Sequence, residues 1–567
     1  MDLKAKKDRV VSACLAAVVF GISALLCRPV FYLNDDVTMR SILSGRYTGV
    51  ADGHAVYMKY PLTAVLSGLY RLAANVPWME LFFAGCLLWV VVEVGTSKLK
   101  EKRIPWKVLC GILFVMPFFM YMHYTVIAAV LAGAAAFLLA SGRKDLKPVF
   151  LWLIAWMIRS QVAYLALPFV GLAVLWSICA AEKNNLKKEA AAFGKVLGVS
   201  LIGLLVCVGM QSIAYADKDW KYYFEYNDVR TGLFDYTDFH STDYYSETYT
   251  EYGMDSGEFY ILDSYNTMLD SSVDAEKISQ VLDKVQTRMA SDRDEIAWIK
   301  ECVKQYYYQI RYAENYYAFL WLLLFGLLAA GLLLGRDWIG LLWLVCLGGG
   351  RSLIWVYLIY KGRFPERVSL SLYIIEILLL LGMLMSLEER CNCKWNDLVS
   401  KIKGTKLGRQ LCVGGQCLLL LAAVCILGLQ ISKDCLRVIE KNQVQQEWDV
   451  LQEYCEEHKE KLYLVDVFSS VRYSGVLWEN DCSNMMLAGG WMSASPSAQK
   501  RFEERGAADG AEALYQDSET VFLADKSRNI EELQVYLTDR FGECSLEPAA
   551  EIICSDDRVF VEYQLIH

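Results

Sequence analysis

Asp35 and Asp36 are adjacent carboxylates in "FYLNDDVTMRSILSGRYTGVADGHAVYMKYP", a stretch that begins where the first apolar run of the chain ends. A carboxylate beside lipid is costly unless it is solvated or does chemistry. Asn34 suits the N-cap of a short helix from about Asp35 to Ser44, stopped by Gly45, and the helix dipole favours acids in the first turn. Capping explains one acid and does not require two. Adjacent helical side chains point about 100° apart, so the two carboxylates do not serve one contact, and like charges this close raise one pKa. That carboxylate is suited to take a proton from a hydroxyl, leaving its neighbour to cap the helix or hold a metal. His54 and Lys59, further along the stretch, are placed to hold an acceptor or an anion.

A second set of residues is cationic. Arg159 and Gln161 flank the turn between two short apolar runs, Arg351 lies within an apolar run, and Arg363 and Arg367 fall in "YKGRFPERV" at the end of that run. Ionisable groups at membrane depth are expensive and mark functional sites, and the guanidinium fork matches phosphate oxygens bidentately. The structural alternatives are snorkelling at a helix end and ion pairing, for example of Arg367 with Glu366.

The elements that must position these groups are membrane helices. The chain has 567 residues, 55% of them hydrophobic, with a mean hydropathy of +0.26 and a net charge of −9. Its apolar runs approach the ~20 residues that span a bilayer. These features exclude a soluble enzyme with one large core, and the negative charge disfavours nucleic acid. Helices are predicted at 11–28, 79–96, 107–121, 125–140, 148–159, 162–181, 192–213, 315–334, 338–360, 367–386 and 410–431. The N-terminal run is longer than a signal-peptide core, and Cys27-Arg28-Pro29 is a poor cleavage site, so it is read as a retained helix. The Lys- and Arg-rich stretches at 4–9, 98–107, 143–147, 183–188 and 390–409 then fall on one side of the membrane, the cytoplasmic one. The run 338–360 contains Gly348–Gly350 and Arg351 and is expected to cross as a broken helix.

Three segments face outward: 29–78, 214–314 and the tail. In the first, a second helix starts near Pro61, and its apolar stripe of Leu62, Val65, Leu66, Leu69 and Leu72 lies in the membrane interface. The second is aromatic and acidic, becoming helical over 274–312 with Ile278, Val281, Leu282 and Val285 on one face. The tail alternates an amphipathic helix at 436–458, a strand near "KLYLVDV", helices near 496–505 and 528–541, and strands near "TVFLA", "AEIIC" and "RVFVEYQL", with "NMMLAGGWMSASP" as a packed turn; this is a small α/β pattern. None of the three segments carries an N-x-S/T sequon, which points to a bacterial plasma membrane. A disulfide among Cys455, Cys482, Cys544 and Cys554 is left open, and Cys391-Asn392-Cys393 lacks the His for a zinc site. The expected fold is mainly α: a polytopic membrane module over 1–431 with about eleven transmembrane helices, and an extracytoplasmic α/β domain over 432–567.

This layout resembles the GT-C class of integral-membrane glycosyltransferases. The matching parts are Asp35-Asp36 after the first helix, the interfacial helices of that loop, the short helix pairs at 107–140 and 148–181, and the outward tail; the resemblance covers roughly residues 1–430. It implies transfer of a sugar from a polyprenyl-phosphate donor to an envelope glycan, lipid or protein, on the outer face. It also implies Asp35 or Asp36 as base or metal ligand, which leaves a divalent ion such as Mg or Mn as a candidate cofactor. Its expected partners are membrane lipid, a lipid-linked sugar donor and a glycan or lipid acceptor. Two other classes share parts of the pattern: a lipid-linked glycan polymerase, ligase or flippase, and a non-catalytic envelope-assembly protein.

Overall fold

The structure, a computed structural model, describes residues 3–97, 104–179, 186–237, 239, 253–291, 293–311, 315–390, 406–479 and 482–567. Cys391 and Cys393, and most of the basic stretches at 98–107 and 390–409, lie outside the described residues. The chain is mostly helical: α1 (Leu3–Cys27), β1 (Val30–Phe31), α2 (Asn34–Ser44), α3 (Tyr60–Leu72), α4 (Trp78–Gly95), α5 (Ile104–Met120), β2 (Tyr121–Met122), α6 (Tyr124–Ala140), α7 (Lys147–Ile158), α8 (Ser160–Cys179) and α9 (Leu186–Ala214) come first. They are followed by α10 (Lys218–Tyr236), α11 (Ser256–Asp263), α12 (Ala275–Ser291), α13 (Glu295–Arg311), α14 (Tyr317–Gly335), α15 (Trp338–Tyr360), α16 (Glu366–Arg390) and α17 (Lys406–Glu457). Among the described residues, eight helices are long and apolar enough to cross a membrane: α1, α4, α8, α9, α14, α15, α16 and α17. Helices α5, α6 and α7 are apolar but shorter.

The packing centre is α6, whose seventeen residues are all buried. Its sequence, "YTVIAAVLAGAAAFLLA", is small-residue rich, which lets neighbouring backbones approach. Helix α16 exploits this: a Cβ on Gly382 would stand 2.5 Å from the Phe137 carbonyl oxygen, and one on Gly133 would stand 3.1 Å from Ile375 Cα. The buried ion pair Arg40–Glu80 (3.0 Å) ties α2 to α4, with Arg40 also donating to the Val476 carbonyl at 2.9 Å.

The tail folds into β3 (Leu462–Val465), α18 (Val467–Ser470), β4 (Met485–Leu487), α19 (Pro496–Glu503), α20 (Gly510–Gln516), β5 (Thr520–Asp525), α21 (Glu531–Phe541), β6 (Ser545–Ser555) and β7 (Arg558–Ile566). The sheet order is β4-β3-β5-β7-β6, parallel through β4, β3 and β5 and antiparallel beyond. This domain shares a core with the segments 29–78 and 214–314, for Ile42 and Tyr47 of the first cluster with Leu269 of the second and with Leu464 and Phe522. Val30 bridges Val476, and Phe31 N–H donates to the Gly475 carbonyl at 2.9 Å. Cys455, Cys482, Cys544 and Cys554 are free thiols.

Five local expectations need correction. Helix α15 runs unbroken through Gly348–Gly350, because glycine weakens a helix by only ~1 kcal/mol each and apolar flanks hold it. The predicted 410–431 and 436–458 helices are one 52-residue helix, since nothing in "LQISKDCLR" breaks the backbone. Leu33, not Asn34, occupies the N-cap of α2. The stripe on α3 splits: Leu62 and Leu66 are buried with Thr63, Ser67 and Tyr70, while Val65 and Leu72 are exposed. Within "NMMLAGGWMSASP", β4 precedes the packed turn.

Candidate functional site

The segment between α1 and α4 is fastened at its entry. β1 pairs in parallel with β2, placing Val30 beside Tyr121 and Phe31 beside Met122, and Tyr32 N–H donates to the Met122 carbonyl at 2.8 Å. This register brings the first turn of α2 against the start of α6. There Asp36, fully buried, accepts from His123 Nδ1 at 2.9 Å and from the Tyr124 backbone N–H at 3.0 Å. The Tyr124 N–H is one of the donors that every helix N-terminus leaves unsatisfied, and His123 makes no cap bond of its own. Asp36 therefore caps α6 from another helix, where the α6 dipole favours its charge. A carboxylate accepts only, so Nδ1 carries the imidazole proton. Tyr32 stacks on the His123 ring at 5.3 Å.

Asp35 is different. It keeps partial exposure, and its carboxylate has no hydrogen-bond partner among the described residues. Burial and then the adjacent Asp36 raise its pKa above the usual carboxylate range, while His123, Arg367 and Arg159 pull the other way. Arg159 sits at the junction of α7 and α8, its backbone extended at the C-cap of α7. Its guanidinium lies over Tyr57 at 5.0 Å and Tyr124 at 5.3 Å. Arg367 opens α16, and the alternative pairing of Arg367 with Glu366 does not form, because Glu366 takes Arg437 bidentately at 3.0 and 3.2 Å. Neither Arg159 nor Arg367 has an ion-pair partner within 4.0 Å among the described residues. Lys59 lies over Trp156 at 5.8 Å, and burial and then the charge of Arg159 lower its pKa. Asp35, Lys59, Arg159 and Arg367 thus form one group, opposite in charge and poor in internal partners.

Other candidates are placed elsewhere. Arg351 forms a buried ion pair with Glu376 at 2.8 Å inside a cage of Trp321, Trp355 and Tyr373. Arg363 pairs with Asp235 of α10. His54 bonds Asp52 at 2.6 Å, stacks on Trp220 at 5.0 Å and, on the Nε2 side, meets the Ala214 carbonyl at 3.2 Å. Gln161 is exposed, with its amide 3.4 Å from Ser160 Oγ. Among the described residues, no group of three or more His, Cys, Asp or Glu side chains is placed to hold a metal ion. Each Asp36 oxygen accepts one hydrogen bond, and Asp35 is the member of the pair without one among the described residues.

Several residues around this group carry no sequence signal of their own. His123 and Tyr124 sit in an apolar run, and Arg230 sits in α10, within the aromatic segment. Arg230 is buried, donates to Asn227 and to the Tyr265 hydroxyl, and shares charge interactions with Tyr57 and Tyr265. Tyr57 and Tyr265 in turn feel Asp35, and burial raises both phenols. An Arg buried in a soluble-looking helix is visible only once α10 folds over the first segment.

No family profile, curated protein or solved structure matches this chain.

Proposed function

We propose that this protein is a membrane glycosyltransferase that moves a sugar from a polyprenyl-phosphate donor to an envelope glycan, lipid or protein on the outer face of a bacterial plasma membrane. In this reading the eight long and three shorter apolar helices all cross, the N-terminus is cytoplasmic and the α/β domain is outside. The observation that carries it is the division of labour within the acidic pair: Asp36 is consumed by His123 and Tyr124, while Asp35 is left unbonded, its pKa raised by burial and by Asp36 against the opposing charges of Arg367 and Arg159.

The chemistry follows from that arrangement. Asp35 takes the proton of an acceptor hydroxyl as its oxygen bonds the anomeric carbon. The bond from that carbon to the phosphate oxygen breaks, and the electron pair leaves with the phosphate. Arg159 and Arg367, with Lys59 behind them, neutralise the anion that leaves, a stabilisation that grows toward the transition state. A flippase needs the cations but not a raised carboxylate, so Asp35 favours transfer.

Donor binding tests the cationic half. Arg159→Gln and Arg367→Gln in the purified protein are expected each to weaken binding of a short-chain polyprenyl phosphate by roughly 10-fold or more, the loss of one charge-assisted pair at ~1.5–3 kcal/mol. Unchanged affinity in both variants would refute the assignment.

A further inference from the structure

A second site lies beside the first, between α2 and the C-terminal domain. It is a cleft whose open space of about 900 Å³ merges with bulk solvent. Its walls carry Trp448, Tyr473, Trp491 and four methionines, and the amides of Asn34 and Gln452. Two of its lining hydroxyls are buried and unbonded: Tyr47, 8% exposed, and Ser474, 4% exposed. A buried hydroxyl without a partner costs roughly 1–3 kcal/mol, and most native buried polar groups are satisfied. Two in one cleft leave hydrogen-bonding capacity that a ligand could take up. No Asp or Glu lines the cleft, and its one charged wall residue, Arg46, already has a partner in the fold.

We propose that this cleft binds a neutral sugar chain. A pyranose has an apolar C–H face for an aromatic ring, whose face is electron rich, and an edge of hydroxyls that both donate and accept. The cleft offers both: Trp448, stacked on Tyr473 at 4.6 Å and held from behind, and Trp491, which touches Tyr57 at 4.7 Å, against the hydroxyls of Tyr47 and Ser474 and the two amides. An acyl chain would leave those hydroxyls unsatisfied, and a charged ligand would find no free counter-charge on the wall. Asn34 of the cleft wall directly precedes Asp35 in the chain, yet binding here does not depend on transfer there.

The test is titration of the full-length protein in detergent with maltotetraose, cellotetraose and chitotetraose, followed by calorimetry and tryptophan fluorescence. At least one is expected to saturate. Tyr47→Phe and Ser474→Ala, which remove only unbonded oxygens, should weaken it by roughly 2–10-fold each, from ~0.5–1.5 kcal/mol per hydrogen bond, while melting no earlier than the parent. Trp448→Ala should abolish it. Asp35→Asn should leave it unchanged, which separates this cleft from the transfer site. The proposal is overturned if none of the three sugars binds, if Tyr47→Phe and Ser474→Ala bind as the parent does, or if Asp35→Asn abolishes binding.

Discussion

Asp36→Ala is expected to unfold the protein early. The substitution removes the acceptor of two buried hydrogen bonds, at 2.9 Å from His123 Nδ1 and 3.0 Å from the Tyr124 N–H. Bonds to an ionised group contribute about 1.5–3 kcal/mol each, so the expected loss is about 3–6 kcal/mol. It uncaps α6, the helix on which α4, α7, α8 and α16 pack. Asp36→Asn is milder: its oxygen still serves Tyr124, but its amide faces an N–H at His123 until the imidazole changes tautomer, so a loss of about 1–3 kcal/mol is expected. Asp35→Ala removes a half-buried carboxylate with no bond and relieves its neighbour, and stability should hold or rise. Tryptophan fluorescence of the detergent-solubilised protein during heating reads all three. Equal melting of Asp36→Ala and the parent, or early melting of Asp35→Ala, would refute the division of roles.

Two further outcomes test the frame. Gly382→Ala places a methyl 2.5 Å from a backbone carbonyl of α6; backbone cannot step aside as a side chain can, so a loss at or above the usual ~1–3 kcal/mol of overpacking is expected, and a melt like the parent's would show that the two helices do not pack this closely. Arg351→Gln leaves Glu376 buried without its partner, a loss of about 3–5 kcal/mol, yet the folded fraction should bind donor phosphate normally; lost donor affinity without lost stability would return Arg351 to the site.

What the sequence conveyed and what it withheld divide along range. Apolar runs of bilayer length are local, so all eleven predicted membrane helices appear as helices in nearly the predicted places. Short apolar or β-branched strand runs such as "TVFLA" and "RVFVEYQL" are local too. The acidic pair was legible as a pair because two charges at the end of an apolar run need a reason. Which member is free was not legible: it depends on a two-residue parallel pairing between residues 30–31 and 121–122, 91 positions apart. The same holds for Arg351, whose partner Glu376 lies in the next helix and reads from sequence as one more charge in an apolar run. The break expected at Gly348–Gly350 failed because each glycine weakens a helix by only ~1 kcal/mol and the apolar flanks carry the helix through. Helix α10 escaped notice because its polar and aromatic residues show little helical period, and with it went Arg230.

The central claim is that Asp35 takes the proton from the acceptor. Its most direct test is the transfer rate of a labelled sugar from membrane lipid to envelope acceptor, compared between the parent and Asp35→Asn across pH. A general base contributes ~10²–10⁴-fold, so the variant should fall by about that factor while melting no earlier. Asp35 must be ionised to act and its pKa is raised by burial and by Asp36, so the parent's rate should decline as pH falls through a value above the ordinary ~3.9. For the same reason the folded state holds its proton longer than the unfolded one, and the parent loses stability as pH rises through that window, a slope that Asn removes. An Asp35→Asn protein that transfers sugar at the parent's rate would contradict the account.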